Sequence, residues 1–294
     1  MSEHFALDWL RLRESADLAA RSPTLARSFA AALSATRPLR LIDLAAGSGA
    51  NTRALLPRIN GDQHWRLIDR DRDLLNAQAE EFTLWSRRQG YPITAGGGRI
   101  AIEAQPAHWR IEAMPLDLDH DFATLGELEF DGITAASFFD LVSAPFLARF
   151  IALLAKRRVP FLAALTVDGR RDWQPQLDDD AIIADAFAAH QRRVKDFGAA
   201  LGGNAADALE AALCQAGFRT ERAASDWRLG WGDGSARDEA LLAALVMGEA
   251  SAAREAAPEA AERIARWENQ RRAQLADGVL RLTVGHCDLL ALPA

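Results

Sequence analysis

Three features between residues 43 and 69 have the types and spacing to hold a small charged ligand. They are a carboxylate inside an apolar run (Asp43), a glycine turn (Gly47-Ser48-Gly49), and a second carboxylate at the end of the next apolar run (Asp69). Glycine has no Cβ, so the turn is free to take positive φ, and the first amides of a following helix point at whatever sits above them. Asp43 is expected to accept hydrogen bonds from the loop amides, because an unpaired carboxylate inside a strand is costly. Asp69 follows Gly47 by about twenty residues, the spacing at which a carboxylate closing the second strand of a nucleotide-binding βαβ unit accepts from two ribose hydroxyls. A dinucleotide loop of this kind carries Gly-x-Gly-x-x-Gly. Here Thr52 stands at the last position, so the pyrophosphate fingerprint is incomplete.

These residues need a strand, loop, helix and strand to position them. Leu39–Leu44 reads as a buried strand that runs through the glycine turn into a helix over residues 50–59, and residues 65–68 form the next strand. Upstream, Ser22-Pro23 has the form of an N-cap followed by proline at the first helical position. It predicts two helices, 5–20 and 23–34. Downstream, a helix over 71–90 leads to Gly96-Gly97-Gly98, and residues 99–105 are expected to hairpin onto a third strand at 111–118. A fourth strand over 130–138, a helix from Pro145 to Lys156 and a fifth strand over 161–167 follow. A helix is predicted over 178–198, another from Asn204 to Gly217, and a sixth strand over 218–227. Gly230-Trp231-Gly232-Asp233-Gly234 reads as a loop, 238–276 as helix broken at Pro258, and 279–290 as the last strand.

The Asp-Leu-Ala-Ala-Gly-Ser-Gly stretch followed by the Asp69 strand resembles the first two motifs of the class I S-adenosylmethionine-dependent methyltransferases. In that family the glycine loop lies under a methionine moiety without phosphate, so a third glycine is not required. The resemblance implies a Rossmann-like, doubly wound, mostly parallel seven-stranded sheet with its last strand antiparallel, N-terminal helices and helical insertions. It implies S-adenosyl-L-methionine as cofactor, with contacts at Asp43, Ala45, Gly47, Ser48, Gly49, Asn51, Asp69, Arg70, Asp117, Leu118 and Ser137. Asp117 closes the third strand and would meet the adenine amino group; the alternative is a solvated loop with Asp119 and Asp121. Helices before the first strand often close over the cofactor in such proteins, so Arg13 or Arg21 would meet the methionine carboxylate. The plainer reading is an exposed ion-pair ladder with Asp17.

Candidates for acceptor chemistry cluster after the fourth and fifth strands. Asp140 would orient or deprotonate a nucleophile, or else cap the next helix. His190 shares a helical stripe with Ile183, Phe187 and Val194, as a core histidine or as a group looking from a lid into the acceptor pocket. Phe138, Asp168, Arg170, Arg193 and Lys195 complete the acceptor-binding set. His286, on the last strand, is expected to pack rather than catalyse. The layout is one domain: a helical cap (1–36), a cofactor half (39–167), a helical lid (168–203), and a C-terminal half (204–294) whose insertion at 236–276 is a cap or a homodimer surface.

Charge narrows the partners. With 34 Lys and Arg against 41 Asp and Glu, the net charge is −7, which argues against an electrostatic grip on nucleic acid and for a small-molecule acceptor. Two unclustered cysteines, Cys214 and Cys287, suggest neither a disulfide framework nor a zinc site, so no metal is expected. No signal-like N-terminus and no long apolar run occurs, so a cytoplasmic protein without membrane contact is expected. Two alternatives stay open: an NAD-dependent oxidoreductase on a related sheet, and a non-catalytic cofactor-binding or scaffold relative.

Overall fold

A computed structural model describes residues 6–34, 37–191, 194–195, 198–231 and 236–294. Two helices come first, α1 (Leu7–Ala20) and α2 (Pro23–Ala32), the second starting where Ser22 Oγ accepts from the Leu25 amide at 3.2 Å. Then β1 (Leu39–Leu44), α3 (Ala50–Leu55), β2 (Gln63–Asp69) and α4 (Arg72–Gln89) form the unit carrying the glycine turn. A meander of β3 (Ile93–Gly96), β4 (Arg99–Ala104) and β5 (Ala107–Pro115) follows, then α5 (Phe122–Glu127), β6 (Gly132–Ala136), α6 (Ala144–Arg157) and β7 (Phe161–Gln174). The remainder is α7 (Asp180–Gln191), a short hairpin of β8 (Val194–Lys195) and β9 (Gly198–Ala199), α8 (Ala205–Gln215), β10 (Phe218–Ala224), β11 (Trp227–Leu229), α9 (Ala236–Ala256), α10 (Ala261–Ala276) and β12 (Arg281–Pro293).

The main sheet runs β10-β12-β7-β6-β1-β2-β5-β4-β3, with β11 also on β12. Strands β5, β2, β1, β6 and β7 are mutually parallel, and β12 enters antiparallel between β7 and β10. This is the expected Rossmann-like sheet with an antiparallel last strand. Strand order reverses between β1 and β6, and a crevice outside the carboxyl ends of parallel strands at such a reversal is where open α/β sheets bind ligands.

Several expectations need correction. The main sheet has ten strands among the described residues rather than seven, because the expected hairpin strand (β4) and a further strand, β3, extend it and the sixth strand breaks at Ser225-Asp226 into β10 and β11. Strand β7 runs seven residues past Val167, since Arg171–Gln174 find partners in Arg281–Val284 of β12. The helix after the glycine turn ends at Leu55, and a 3₁₀ turn takes over at Leu56–Arg58, where Pro57 removes an amide. The helix expected over 178–198 stops at Gln191 and gives way to β8 and β9. Gly232, Asp233 and Gly234 of the predicted loop lie outside the described residues.

Helices cover both faces of the sheet. Phe139, Phe146, Phe150 and Phe161 anchor one side, with ring centroids 5.0–5.4 Å apart among Phe139, Phe150 and Phe161. Leu25, Phe29, Trp65 and Phe82 anchor the other. A third core joins Trp173, Trp227 and Trp267 with α7, α9 and α10, and the apolar side of α1 (Trp9, Leu12, Ala16) packs into it.

Asp43 holds the start of α3 against the sheet. It is fully buried, and it accepts from Asn51 Nδ2 and Thr52 Oγ1, both at 2.7 Å. Asn51 Nδ2 also reaches Thr134 Oγ1 on β6 at 3.2 Å, whose hydroxyl donates to the Leu162 carbonyl of β7. Asp43 therefore takes its hydrogen bonds from α3, from the side chains of Asn51 and Thr52 and from the Thr52 amide, not from the loop amides as expected. Thr52 fills the place of the third glycine and serves as one of those donors. Gly49, by contrast, is an internal packing requirement. Its φ is +83°, and a Cβ there would lie 2.5 Å from Phe82 Cε2 and 3.1 Å from Leu67 Cδ2.

Two outcomes follow from this packing. Gly49→Ala combines left-handed strain with overpacking and is expected to cost at least ~2 kcal/mol in urea melts. Gly47→Ala, whose Cβ would meet only a Leu10 methyl within 3.5 Å, at 3.2 Å, should cost less, and equal losses would refute the assignment. Burial pushes the Asp43 carboxyl up from 3.8 to about 6, despite the bonds from Asn51 and Thr52. The folded state thus keeps a proton that the unfolded chain loses above its ordinary value, so stability falls as pH rises through this window and is level above it. Relative to Asp43→Asn, the wild type should lose about 2 kcal/mol of unfolding free energy between pH 4 and pH 6.5, read by denaturant melts at each pH.

Candidate functional site

A crevice opens at the carboxyl ends of β1, β2, β5 and β6, with α1 lying across it. Two non-glycine residues leave the sheet there in left-handed conformation, Ala45 (φ 49°) after β1 and Ser137 (φ 51°) after β6. Such conformations are uncommon for residues with a Cβ and cluster at ligand sites. Both residues line the crevice.

The glycine turn is tied back on every side. The Gly47 amide donates to Asp69 Oδ2 at 2.7 Å, and Asp69 Oδ1 accepts from the Asp71 amide at 2.9 Å. The Gly47 carbonyl accepts from Gln78 Nε2 of α4 at 2.8 Å, and the Ser48 carbonyl accepts from Arg53 Nη1 of α3 at 2.6 Å. Arg53 is itself buried and pairs with Glu14 of α1 at 2.8 Å. The turn is thereby held rigidly, with residues 45–48 facing the crevice. Burial raises the Asp69 carboxyl above its ordinary value, although the two amides oppose the shift.

Helix α1 supplies the opposite wall. Leu10, Arg13, Asp17 and Arg21 recur at helical spacing and all line the crevice. Arg13 donates through Nε and Nη2 to Asp17 at 2.9 and 3.1 Å, and through Nη2 to Ser137 Oγ at 2.6 Å. Arg21 Nη1 donates to Asn51 Oδ1 at 2.6 Å, and burial lowers its basicity although Asp17, Asp288 and Asp43 lie near. The two arginines are thus not a solvated ladder. Leu74, Leu116 and Leu118 form an apolar flank on the β2–β5 side, and Phe138 and Leu141 form another beyond β6.

Of the residues singled out in the sequence, Asp43, Ala45, Gly47, Ser48, Asn51, Asp69, Arg70, Leu118, Ser137, Arg13, Arg21 and Phe138 meet in this crevice. Gly49 lies beneath it, against Phe82. Asp117 is not in its lining. Its Oδ1 accepts from the amides of Asp119 and His120, and its Oδ2 sits 3.3 Å from His120 Nδ1, so the carboxylate organises its own turn. Asp140 is also outside the lining, and its carbonyl accepts from the Gly202 amide.

His190 is neither a core residue nor part of the crevice: on half-exposed α7 it faces Glu255 of α9 at 3.3 Å. Asp168 and Arg170 form a surface cluster with Asp226, where Arg170 Nη2 reaches Asp168 at 2.6 Å and Asp226 at 2.8 Å. Lys195 belongs to β8, and Arg193 lies outside the described residues. Leu10, Leu74, Leu116 and Leu141 were missed, because a leucine on a wall has the same sequence signal as one in a core. Asp17 appeared only as the partner of Arg13, and that i, i+4 spacing was the available clue.

No family model matches the chain, and no curated protein matches it. Similar solved structures include a SAM-dependent methyltransferase from Thiobacillus denitrificans in complex with S-adenosyl-L-homocysteine, at 13% identity over 99% of each chain with a TM-score of 0.44. Another is a SAM-dependent methyltransferase from Geobacter sulfurreducens, also with S-adenosyl-L-homocysteine, at 14% identity over 98% of this chain and 99% of that one, TM-score 0.44. A third is the cyclopropane synthase MmaA2 from Mycobacterium tuberculosis, at 13% identity over 91% of this chain and 83% of that one, TM-score 0.45. The likeness is distant, and the Rossmann-like assignment rests on the strand order and direction of the sheet itself.

Proposed function

We propose that the crevice binds S-adenosyl-L-methionine and that the chain transfers its methyl group to a small-molecule acceptor. The observation that carries this reading is the convergence on one crevice of the tied-back glycine turn, the Asp69 carboxylate and the guanidinium of Arg21. The donor set fits the cofactor's parts. Each Asp69 oxygen accepts one amide, and a carboxylate has about four lone-pair sites, so acceptor capacity is left for a ribose diol. Arg21 bonds to an amide oxygen rather than a carboxylate, leaving it to meet the methionine carboxylate. Leu74, Leu116 and Leu118 offer apolar surface to a flat ring. Asp117 takes no part in this assignment, because its carboxylate is engaged in its own turn.

When bound, the sulfonium supplies an electrophilic methyl carbon. The chain's own task is to hold the acceptor in line with it and to keep water out. Phe138 and Leu141 beyond β6 provide apolar cover on that side, and Leu10 of α1 covers the glycine turn. No base is assigned to Asp140 or His190, which lie outside the lining, and an acceptor arriving with a free lone pair needs none. The nicotinamide alternative is disfavoured by Thr52, whose fully buried side chain is committed to Asp43 where a pyrophosphate loop has glycine. The net charge of −7 supports a small acceptor over nucleic acid.

Calorimetric titration with S-adenosylmethionine and S-adenosylhomocysteine tests the reading. Micromolar binding is expected. Asp69→Ala should weaken both ligands by at least ~1 kcal/mol, with Asp69→Asn between it and wild type. Absence of heat and of any thermal shift with either ligand would refute the cofactor assignment. Arg21→Ala should weaken both by roughly 10- to 100-fold, as expected for a lost charge-assisted bond, and an unchanged affinity would remove Arg21 from the carboxylate site.

A further inference from the structure

Trp227 grips both members of the Arg13–Asp17 pair. Its Nε1–H donates to Asp17 Oδ1 at 3.0 Å, while the Arg13 guanidinium lies over its ring, 4.9 Å from the centroid. Asp17 is nearly buried and Trp227 is buried, so the indole N–H has little access to a water in exchange for the carboxylate. The indole is fixed from behind. Trp227 pairs with Val284 in the β11–β12 ladder, and its ring packs on His286 at 5.0 Å, whose Nδ1 faces the Val284 carbonyl at 3.0 Å. A continuous chain of contacts thus runs from β12 through Trp227 and Asp17 to Arg13, and from Arg13 Nη2 to Ser137 Oγ at the strained turn beyond β6.

From this geometry we infer that Trp227 is a positioning residue: its Nε1–H fastens Asp17, and through it Arg13 and the middle of α1, as the wall of the crevice. Asp17 accepts three bonds, two from Arg13 and one from Trp227. With the indole bond removed, the hydrogen bonds left to its carboxylate among the described residues come from Arg13, the residue it is meant to place. The pair could then turn with α1 away from Ser137. Helix α1 has no side-chain N-cap bond, it meets the third core along Trp9, Leu12, Ala16 and Ala20, and its crevice side carries the Arg13–Asp17 pair beside Leu10. Local opening of such an element is governed by a few specific contacts. The ligand consequence rests on the cofactor reading above; the fastening of α1 does not.

Trp227→Phe keeps a ring on His286 and under Arg13 and deletes the N–H. In the ligand-free protein, amide exchange along α1 is expected to rise about tenfold while that of β1 and α4 stays as in wild type. In calorimetry, Trp227→Phe should weaken S-adenosylhomocysteine binding about fivefold in the wild-type background and less than twofold in an Arg13→Met background, because the effect passes through Arg13. Unchanged α1 exchange, or the same loss of affinity in both backgrounds, overturns the inference. Should Trp227→Phe not melt cooperatively, Asp17→Ala, which removes the acceptor of the indole bond, is carried through the exchange measurement, where unchanged α1 exchange again overturns the inference. If wild type binds neither S-adenosylmethionine nor its product, the cofactor reading falls and the exchange data alone decide the latch. If wild type binds and Trp227→Phe binds equally well, the latch falls and the cofactor reading stands.

Discussion

The buried carboxylate of Asp43 is the constraint on which the rest of the site depends. A charge at full burial is unfavourable by itself, and burial accordingly lifts its titration to about 6. It is tolerated because two side-chain donors from the first turn of α3 converge on it, one of which reaches on to β6. The same bonds determine where α3 begins, and therefore where the glycine turn must lie between β1 and α3. A hydrophobic residue at 43 would suit the strand better and leave the start of the helix unspecified. The polar group thus contributes position more than stability.

Around that anchor the turn is held from outside rather than by its own conformation. Asp69, Gln78 and Arg53, each from a different element, take up the Gly47 amide and the Gly47 and Ser48 carbonyls. Preorganisation of this kind means a ligand need not order the loop when it binds. The two glycines differ in purpose: Gly49 makes room for Phe82 in the core, whereas a Cβ at Gly47 would meet Leu10 of the overlying helix.

Helix α1 is amphipathic in an unusual sense, with both sides facing inward. Trp9, Leu12 and Ala16 enter the third core with α9 and α10, while Leu10, Arg13, Asp17 and Arg21 line the crevice. The additions after β7, including the antiparallel β12 with β11, therefore do more than extend the sheet. They build the surface on which α1 rests, and they bring Trp227 to Asp17 across more than two hundred residues of sequence.

Much of this was legible from residue types alone. The strand–glycine–helix pattern, the acid that closes β2, and the proline-marked start of α2 are local signals, governed by backbone conformation and by burial over a few residues. Asp69, Ser137 and both arginines, which only the family resemblance had put together, line one crevice. What the sequence could not determine was the direction of side chains whose partners are remote. Asp117 was expected to close a parallel strand as Asp69 does, but β5 ends at Pro115 and Asp117 is drawn to the amides of its own turn, whereas Asp69 is drawn to Gly47. His190 has the spacing of a core residue but meets Glu255 on a helix sixty-five positions away. Helical periodicity gives one inward face and does not say whether a core or a cavity lies there. Only the tertiary structure separated the two, because that distinction depends on which elements pack against which, a matter of non-local contacts.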